Sequence, residues 1–276
     1  MITYRTATIA ELSHVLEWAA DEGWNPGLDD AEAFFAADPE GFFVAVDKSG
    51  TPIAAISVVN HAPDFAFLGL YLVRPTHRGK GIGLGLWQHA ILHAEDRTIG
   101  LDGVEAQQEN YRASGFVYSG GTTRFSGKVL AQHAPDIRQM RQDDIPMLID
   151  LEAEASGVTK SDYLESWLSG TAARVTIVHE NQDGVCGFCT VRACRVGAKI
   201  GPLIASDAAI AQKLVAHAAT FFEASVTLDV PEASTQLTSL CTRLGLEAGF
   251  KTARMYRGNA VATNHLNYAV TSLELG

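Results

Sequence analysis

The sequence predicts an α+β fold built as two tandem copies of one unit, each a mixed, mostly antiparallel sheet flanked by helices. Three observations carry this. Tyr4-Arg5-Thr6-Ala7-Thr8 leads into an amphipathic helix with Leu12, Val15, Leu16 and Ala19 on one face, and about 130 residues later Ile137-Arg138-Gln139-Met140-Arg141 leads into another, with Ile145, Leu148, Ile149 and Leu151. Each unit also closes alike: Gly115-Phe116 precedes Thr123-Arg124-Phe125-Ser126-Gly127, and Gly249-Phe250 precedes Ala253-Arg254-Met255-Tyr256-Arg257-Gly258. Between these ends both units read as a hairpin, a third strand, then strand–helix alternation.

The elements follow in order. Thr8 is placed to cap the first helix, and Gln142-Asp143 the corresponding helix of the second unit. Phe42 to Val46 and Ile53 to Val59 are β-branched or aromatic runs around Lys48-Ser49-Gly50-Thr51-Pro52, a hairpin pattern. Phe65 to Val73 is apolar almost throughout, as expected of a strand buried on both faces. Helical spacing runs from Ile82 to His93, then a short strand from Thr98 to Leu101 and a helix from Glu105 to Ser114. In the second unit the hairpin is Val175 to His179 and Val185 to Cys194, followed by a strand at Lys199 to Ala205 and a long helix at Ala208 to Ala224. A strand at Ser225 to Val230 and a helix at Ser234 to Leu244 complete it. Pro135 marks the linker, giving expected domains at residues 1–130 and 136–276.

Composition limits the function. The chain has 276 residues, enough for two cores, and a net charge of −11. That balance speaks against nucleic acid as the partner, since phosphate binding needs clustered Lys and Arg. Apolar runs such as Ile53 to Val59 are too short to cross a bilayer, and Met1 to Arg5 starts no secretory signal, so a cytoplasmic protein with no membrane partner is expected. Cys186 and Cys189 lie three apart in a strand pattern and face opposite sides, and no second Cys or His pair supports them, so no metal is expected.

The chemistry centres on Arg78-Gly79-Lys80-Gly81-Ile82-Gly83, where a buried strand gives way to a helix. Helix-start amides carry partial positive charge, and glycine lets a bulky anion approach them. A pyrophosphate is the natural ligand. Lys80 is followed by Gly81 rather than Ser or Thr, which excludes the Walker loop. The dinucleotide fingerprint needs Gly-x-Gly-x-x-Gly directly after the strand, whereas five residues separate Val73 from Gly79 and the glycines recur at every second position. Asp102 sits at a suitable distance for a ribose contact and is the one point in that motif's favour. The pattern Arg/Gln-x-x-Gly-x-Gly/Ala is matched in full by Arg78, Gly81 and Gly83.

That loop after Leu70-Tyr71-Leu72-Val73, with Tyr111-Arg112-Ala113-Ser114-Gly115-Phe116 about thirty residues on, resembles the cofactor half of the GNAT superfamily of N-acetyltransferases, over roughly residues 1 to 130. The whole chain resembles the two-domain type with a degenerate second GNAT-like domain. The resemblance implies acetyl-CoA as co-substrate: Leu72 and Val73 pairing with its pantetheine arm, Arg78, Gly79, Lys80, Gly81, Ile82 and Gly83 cradling its phosphates, and a backbone amide near Leu72 stabilising the oxyanion. It further implies Tyr111 as the acid that protonates the leaving thiolate, and a primary amine of a small molecule or peptide as acceptor.

Trp24-Asn25 follows the first helix, where the family forms a wall of the acceptor pocket. These two residues either hold the acceptor or form a turn with a buried Trp. The neighbouring Asp29 and Asp30 either attract an amine or start the next helix. The general base stays open: Phe65 to Val73 contains no acid, Asp64 and His61 lie just before it, and an amine that arrives deprotonated needs none. At the position of the glycine loop the second unit reads Lys199-Ile200-Gly201-Pro202-Leu203-Ile204-Ala205-Ser206-Asp207, which lacks the motif and puts a carboxylate at the helix start. One CoA site per chain is therefore expected, with the second unit closing the acceptor pocket or serving as scaffold. A non-catalytic acyl-CoA-binding regulator is the competing reading, and a dinucleotide enzyme using Asp102 the third.

Overall fold

The structure, a computed structural model, describes residues 2–222 and 225–276. The first half runs β1 (Thr3–Thr6), α1 (Ile9–Asp21), α2 (Asp30–Ala37), β2 (Phe42–Val46), β3 (Pro52–Ala62), β4 (Phe65–Val73), α3 (Ile82–Ala90), β5 (Thr98–Val104), α4 (Gln108–Ala113) and β6 (Val117–Lys128). The second runs β7 (Ile137–Gln139), α5 (Ile145–Ser156), α6 (Ser161–Leu168), β8 (Arg174–Asn181), β9 (Gly184–Ala193), β10 (Ala198–Ala205), α7 (Ala208–Ala218), β11 (Ser225–Pro231), α8 (Thr235–Arg243), β12 (Glu247–Arg257) and β13 (Asn267–Ala269). The two runs repeat one plan, and Thr8 caps α1 through a capping box with Glu11. Helix α7 ends at Ala218, short of the expected Ala224; of that expected span, residues 223 and 224 lie outside the described residues.

Among the described residues the strands form one mixed sheet, ordered β1-β2-β3-β4-β5-β12-β6-β11-β10-β9-β8-β7, with β13 paired to β10. The only parallel pairs within it are β4–β5 and β10–β11. The halves exchange their closing strands. β6 pairs with β11 from Ser225↔Lys128 to Pro231↔Thr122, and β12 pairs with β5 from Thr252↔Val104 to Arg257↔Ile99. β6 and β12 also pair with each other and lie at the centre of the sheet.

Alternation sorts side chains onto two faces. Phe42, Val44 and Val46 join Leu12, Val15, Phe34, Trp167 and Phe188 in one core, while Phe43 and Ala45 join Ile56, Ile82, Leu86 and Trp87 in another. Helices of both halves meet in the first core, where Phe34 of α2 stacks on Trp167 of α6 at 6.0 Å. Against that contact lies a buried ionic group. Asp30 is fully buried, accepts a bond from the Gly27 amide at 2.7 Å, and faces Arg192 at 3.2 Å; both Arg192 and Arg174 lie over the Trp167 ring. Asp30 and its neighbour Asp29 thus begin α2 and tie it to the second half.

Candidate active site

β4 and β5 are paired only from Phe65↔Thr98 to Leu68↔Leu101. Beyond that point β4 bulges: its register with β3 shifts between Gly69 and Leu72, and Leu70 adopts φ 46°. The two parallel strands splay, and the β4 edge from Gly69 to Val73 has no strand beside it. The split opens a cavity of about 80 Å³, lined on its first-half side by Trp24, Leu68, Gly69, Leu70, Tyr71, Leu101, Asp102, Val104, Gln107 and Tyr111. Arg124, Phe250, Thr252, Leu273 and Glu274 close it from β6, β12 and the residues after β13.

At the far end of the bare edge lies the glycine loop. Gly79 and Gly81 have φ of 73° and 74°, and a side-chain carbon added at either would meet nothing within 4 Å. Gly81 precedes α3, whose first turn carries no side-chain cap, so its amides are available to an anion. Gly83 serves a different purpose. A carbon there would sit 2.7 Å from the Tyr71 hydroxyl and 3.0 Å from a Val73 methyl, so this glycine lets α3 lie close on β4. Ile82 turns inward and anchors the helix in the core. The two cations brace the loop from below. Arg78 Nε donates to the Val73 carbonyl at 2.9 Å while its guanidinium pairs with Glu22, and Lys80 Nζ donates to the Thr76 carbonyl at 2.7 Å.

Tyr111 lies in the wall between edge and cavity. Its ring stacks on Trp87 at 5.7 Å and meets Phe116 edge-on. Gly103 makes room for it, since a side-chain carbon there would be 2.8 Å from the ring. Burial, and then the nearby Tyr71, push its phenol up to about 12. The residue therefore stays a neutral proton donor across any ordinary pH.

The structure separates Trp24 from Asn25. Trp24 lines the cavity, and its carbonyl accepts from Arg124 and from Lys199 Nζ, both at 2.9 Å. Asn25 is not among the lining residues; its carboxamide is spent on the Val196 backbone, donating at 2.8 Å and accepting at 3.2 Å. Of the candidate bases, His61 meets the Leu275 carbonyl at 2.8 Å and is pushed down to about 3 by burial and by the Lys160 charge, and neither it nor Asp64 lines the cavity. Asp102 is gripped by Arg254 at 3.0 and 2.7 Å with its side chain fully buried, which removes the ribose contact that a dinucleotide site would need.

The corresponding cleft of the second half is filled. β10 and β11 pair from Ala198↔Val226 to Ile200↔Leu228 and then part, but β13 enters the gap and pairs with β10 at Leu203↔Ala269 and Ile204↔Asn267. The Asp207 carboxylate caps α7, accepting from Ala209 and Ile210 amides at 2.8 and 2.9 Å. Both features that leave the first half open are closed here by the chain itself.

Comparison with known proteins places both halves in one family. Residues 9–117 match the model described as the Acetyltransferase (GNAT) family, and residues 148–268 match a second described as an Acetyltransferase (GNAT) domain. The holothin acyltransferase of Pseudoalteromonas sp. (strain SANK 73390) is 36% identical over 279 residues, covering 99% of this chain and 94% of that protein. The chain belongs to the GNAT acyltransferase family. It is a tandem member with two GNAT domains. A putative acetyltransferase from Pyrococcus horikoshii shares the fold at a TM-score of 0.84 and 18% identity, covering 100% of this chain and 96% of that one. A tandem GNAT protein from the clavulanic acid biosynthesis pathway follows at 0.64 and 15%, covering 94% and 100%.

The residues that sequence reasoning did not find are those closing the cavity from β6, β12 and the chain after β13. Arg124 carries the strongest set of bonds: it forks onto Asp229, its strand partner, at 2.7 and 2.8 Å, and lies over the Phe250 ring. No local motif marks these residues, because the strand exchange alone brings them to the cleft. Tyr71 belongs to the strand before the loop, and its place in the cavity wall beside Tyr111 follows from the bulge. Among the described residues no helix is long and apolar enough to cross a membrane, the four cysteines are free, and no group of three or more His, Cys, Asp or Glu could hold a metal ion.

Proposed function

We propose that this chain transfers an acetyl group from acetyl-CoA to a primary amine of a small molecule by direct attack on the thioester, in the cleft between β4 and β5. The observation that carries the reading is the bare β4 edge, running from the uncapped, glycine-opened start of α3 to the cavity that Tyr111 lines. On this reading the pantetheine arm adds to the edge at Leu72 and Val73, and the pyrophosphate meets the amides from Gly79 to Gly83. As the amine attacks, a backbone N–H near Leu72 holds the oxyanion, and Tyr111 supplies the proton that the sulfur takes on leaving. The domains are then residues 1–130, which carry the acyl-CoA, and residues 136–276, which wall the acceptor pocket.

A small acceptor is supported by the cavity, which is compact and whose lining is mostly apolar with a few polar groups, as in small-ligand sites. The relative named holothin acyltransferase supports the acyl-transfer step. The four free thiols support a reducing, cytoplasmic setting. Two measurements test the reading together. Calorimetric titration with acetyl-CoA is expected to give one site per chain, and thiol release across a panel of primary amines is expected to depend on the amine. Two sites per chain, or no binding, would overturn it. Binding with no thiol release from any amine would favour the regulatory acyl-CoA binder instead.

A further inference from the structure

A carboxylate sits in this cavity without a partner. Glu274 is 3% exposed, yet neither of its side-chain oxygens accepts a hydrogen bond or joins an ion pair among the described residues, and Oε2 is fully buried. Native proteins satisfy buried polar groups almost without exception, and an uncompensated buried charge is among the costliest features a fold can keep. Three cations stand around it. Arg124, Arg192 and Lys199 lie close enough to be felt, and each feels Glu274 in turn. All three are committed elsewhere: Arg124 to Asp229, Arg192 to Asp30, and Lys199 to the Trp24 carbonyl. The other cavity carboxylate, Asp102, is consumed by Arg254. Of the two cavity carboxylates, Glu274 is the one that keeps its lone pairs free among the described residues; the Thr252 hydroxyl in the same wall is unpartnered too.

The chain around it is fixed. The Leu275 carbonyl meets His61 Nε2 at 2.8 Å, the Gly276 carbonyl accepts from Lys160 Nζ at 2.9 Å, and the Ser272 hydroxyl accepts from the Leu275 amide at 3.0 Å. The Glu274 backbone packs on Gly69, at the bulge where β4 leaves β5. The side chain is thus presented at the point where the bare edge meets the cavity.

We propose that Glu274 is the general base of the transfer, binding the acceptor's ammonium and removing its proton; this rests on the acyl-transfer reading above. The ammonium donates to the carboxylate and gives up one proton to it. The free amine then attacks the thioester carbon, forming the C–N bond. The C–S bond breaks with its electron pair going to sulfur, and the sulfur takes the Tyr111 proton. The phenolate recovers a proton from the positively charged nitrogen of the adduct, leaving a neutral amide. Glu274 releases its proton to solvent. The sum is amide, CoA thiol and one proton, with no redox change.

The test uses the full chain, the variants Glu274→Gln and Glu274→Asp, acetyl-CoA, and two acceptor probes: an n-alkylamine, protonated at neutral pH, and an arylamine, which is not. For Glu274→Gln, kcat/KM with the alkylamine is expected to fall about 10²- to 10⁴-fold, the range typical of a general base, and its acid limb to move up to that of the amine itself, since only the free amine can then react. The arylamine has no proton to surrender before attack and should lose less than about tenfold, while acetyl-CoA affinity stays within about twofold. Glu274→Asp should recover part of the alkylamine rate. The pH profile is read against every group facing this carboxylate: Arg124, Lys199, Arg192, Asp30, Asp102, Tyr111, Tyr163 and Cys194. Equal losses for both amines, or loss of CoA affinity or of the melting transition along with the rate, would make Glu274 structural and overturn the proposal. A second arm needs no turnover. The alkylamine should raise the melting temperature of the CoA-loaded wild type and not that of Glu274→Gln, and an equal effect, or none, on both overturns the proposal. Wild-type turnover of neither amine would instead count against the acyl-transfer reading, and this thermal arm then decides on Glu274 separately.

Discussion

Gly69→Ala probes whether the segment after β13 is built against the active cleft. Gly69 does not have a left-handed φ, so the demand on this position is space and not backbone freedom. A methyl carbon there would lie 2.9 Å from the Glu274 carbonyl carbon and 3.3 Å from its Cα, with the carbonyl oxygen nearer still. Carbon atoms in good contact stand about 3.5–4.0 Å apart, so segment and strand must separate by roughly 1 Å. Overpacking of this kind costs about 1–3 kcal/mol. At about 2–4 °C per kcal/mol for chains of this class, the melting temperature should fall by roughly 2–12 °C. Activity should suffer more, because a displacement of about 1 Å in an active-site group can cost about 10²-fold in rate. Scanning calorimetry and steady-state thiol release on the same preparation measure both. Wild-type stability would show that the contact is not there, and wild-type turnover alongside the expected destabilisation would show that the segment plays no part in the chemistry.

The glycines of the loop should divide by mechanism. Gly81→Asn keeps a residue type that tolerates a left-handed φ and points it into open space, so the melting temperature should hold while acetyl-CoA affinity falls at least about tenfold; wild-type affinity by calorimetry would refute the phosphate assignment. Gly83→Ala should cost about 1–3 kcal/mol in the free protein, because its methyl meets Tyr71 and Val73, and an unchanged denaturation midpoint would refute that packing role. Tyr111→Phe should lower kcat by about 10²- to 10³-fold with little change in the KM for acetyl-CoA. Its folded phenol is raised from 10.0 to about 12, so the associated stability is complete below pH 10 and is lost as pH rises toward 12. The phenylalanine variant should lack that part of the alkaline loss, seen in melts between those pH values. A wild-type kcat in Tyr111→Phe would remove it as the acid.

What could be read from the sequence was local. The strand Phe65–Val73 matched its expected limits, because an unbroken apolar run between turn residues leaves little choice of length. The glycine loop and Tyr111 were legible for the same reason: the loop is one contiguous motif, and Tyr111 stands at a fixed spacing before Gly115-Phe116. Helix α6 was not, and α2 stood only as one alternative for Asp29 and Asp30. Each spans eight residues, and α2 buries Asp30 along with Ala33 and Phe34, which breaks the polar–apolar period that marks a helix. The exchange of β6 and β12 was invisible because both segments pattern equally well as the last strand of either half; which partner each takes is decided by long-range pairing. Arg124, Phe250 and Glu274 reach the cavity only through that exchange and through the chain after β13, so no window of sequence joins them to Tyr111.

The exchange also makes each half depend on the other. β12 covers the edge of β5, and without it the first half would expose an unpaired central strand and lose the Phe250 and Thr252 wall of its cavity. The asymmetry of the clefts follows from one further piece of chain. Backbone groups on a parted strand must find partners, whether strand, water or ligand. β13 satisfies the β10 edge, and Asp207 satisfies the amides of α7, so the second cleft is complete without a ligand. The residues that leave β13 then run to the β4 bulge and set Glu274 beside Gly69. The β4 edge stays bare, and its loop amides stay uncapped. The segment that closes the second cleft is therefore the one that furnishes the first, which accounts for why a half without the glycine loop still has to be present for the site to exist.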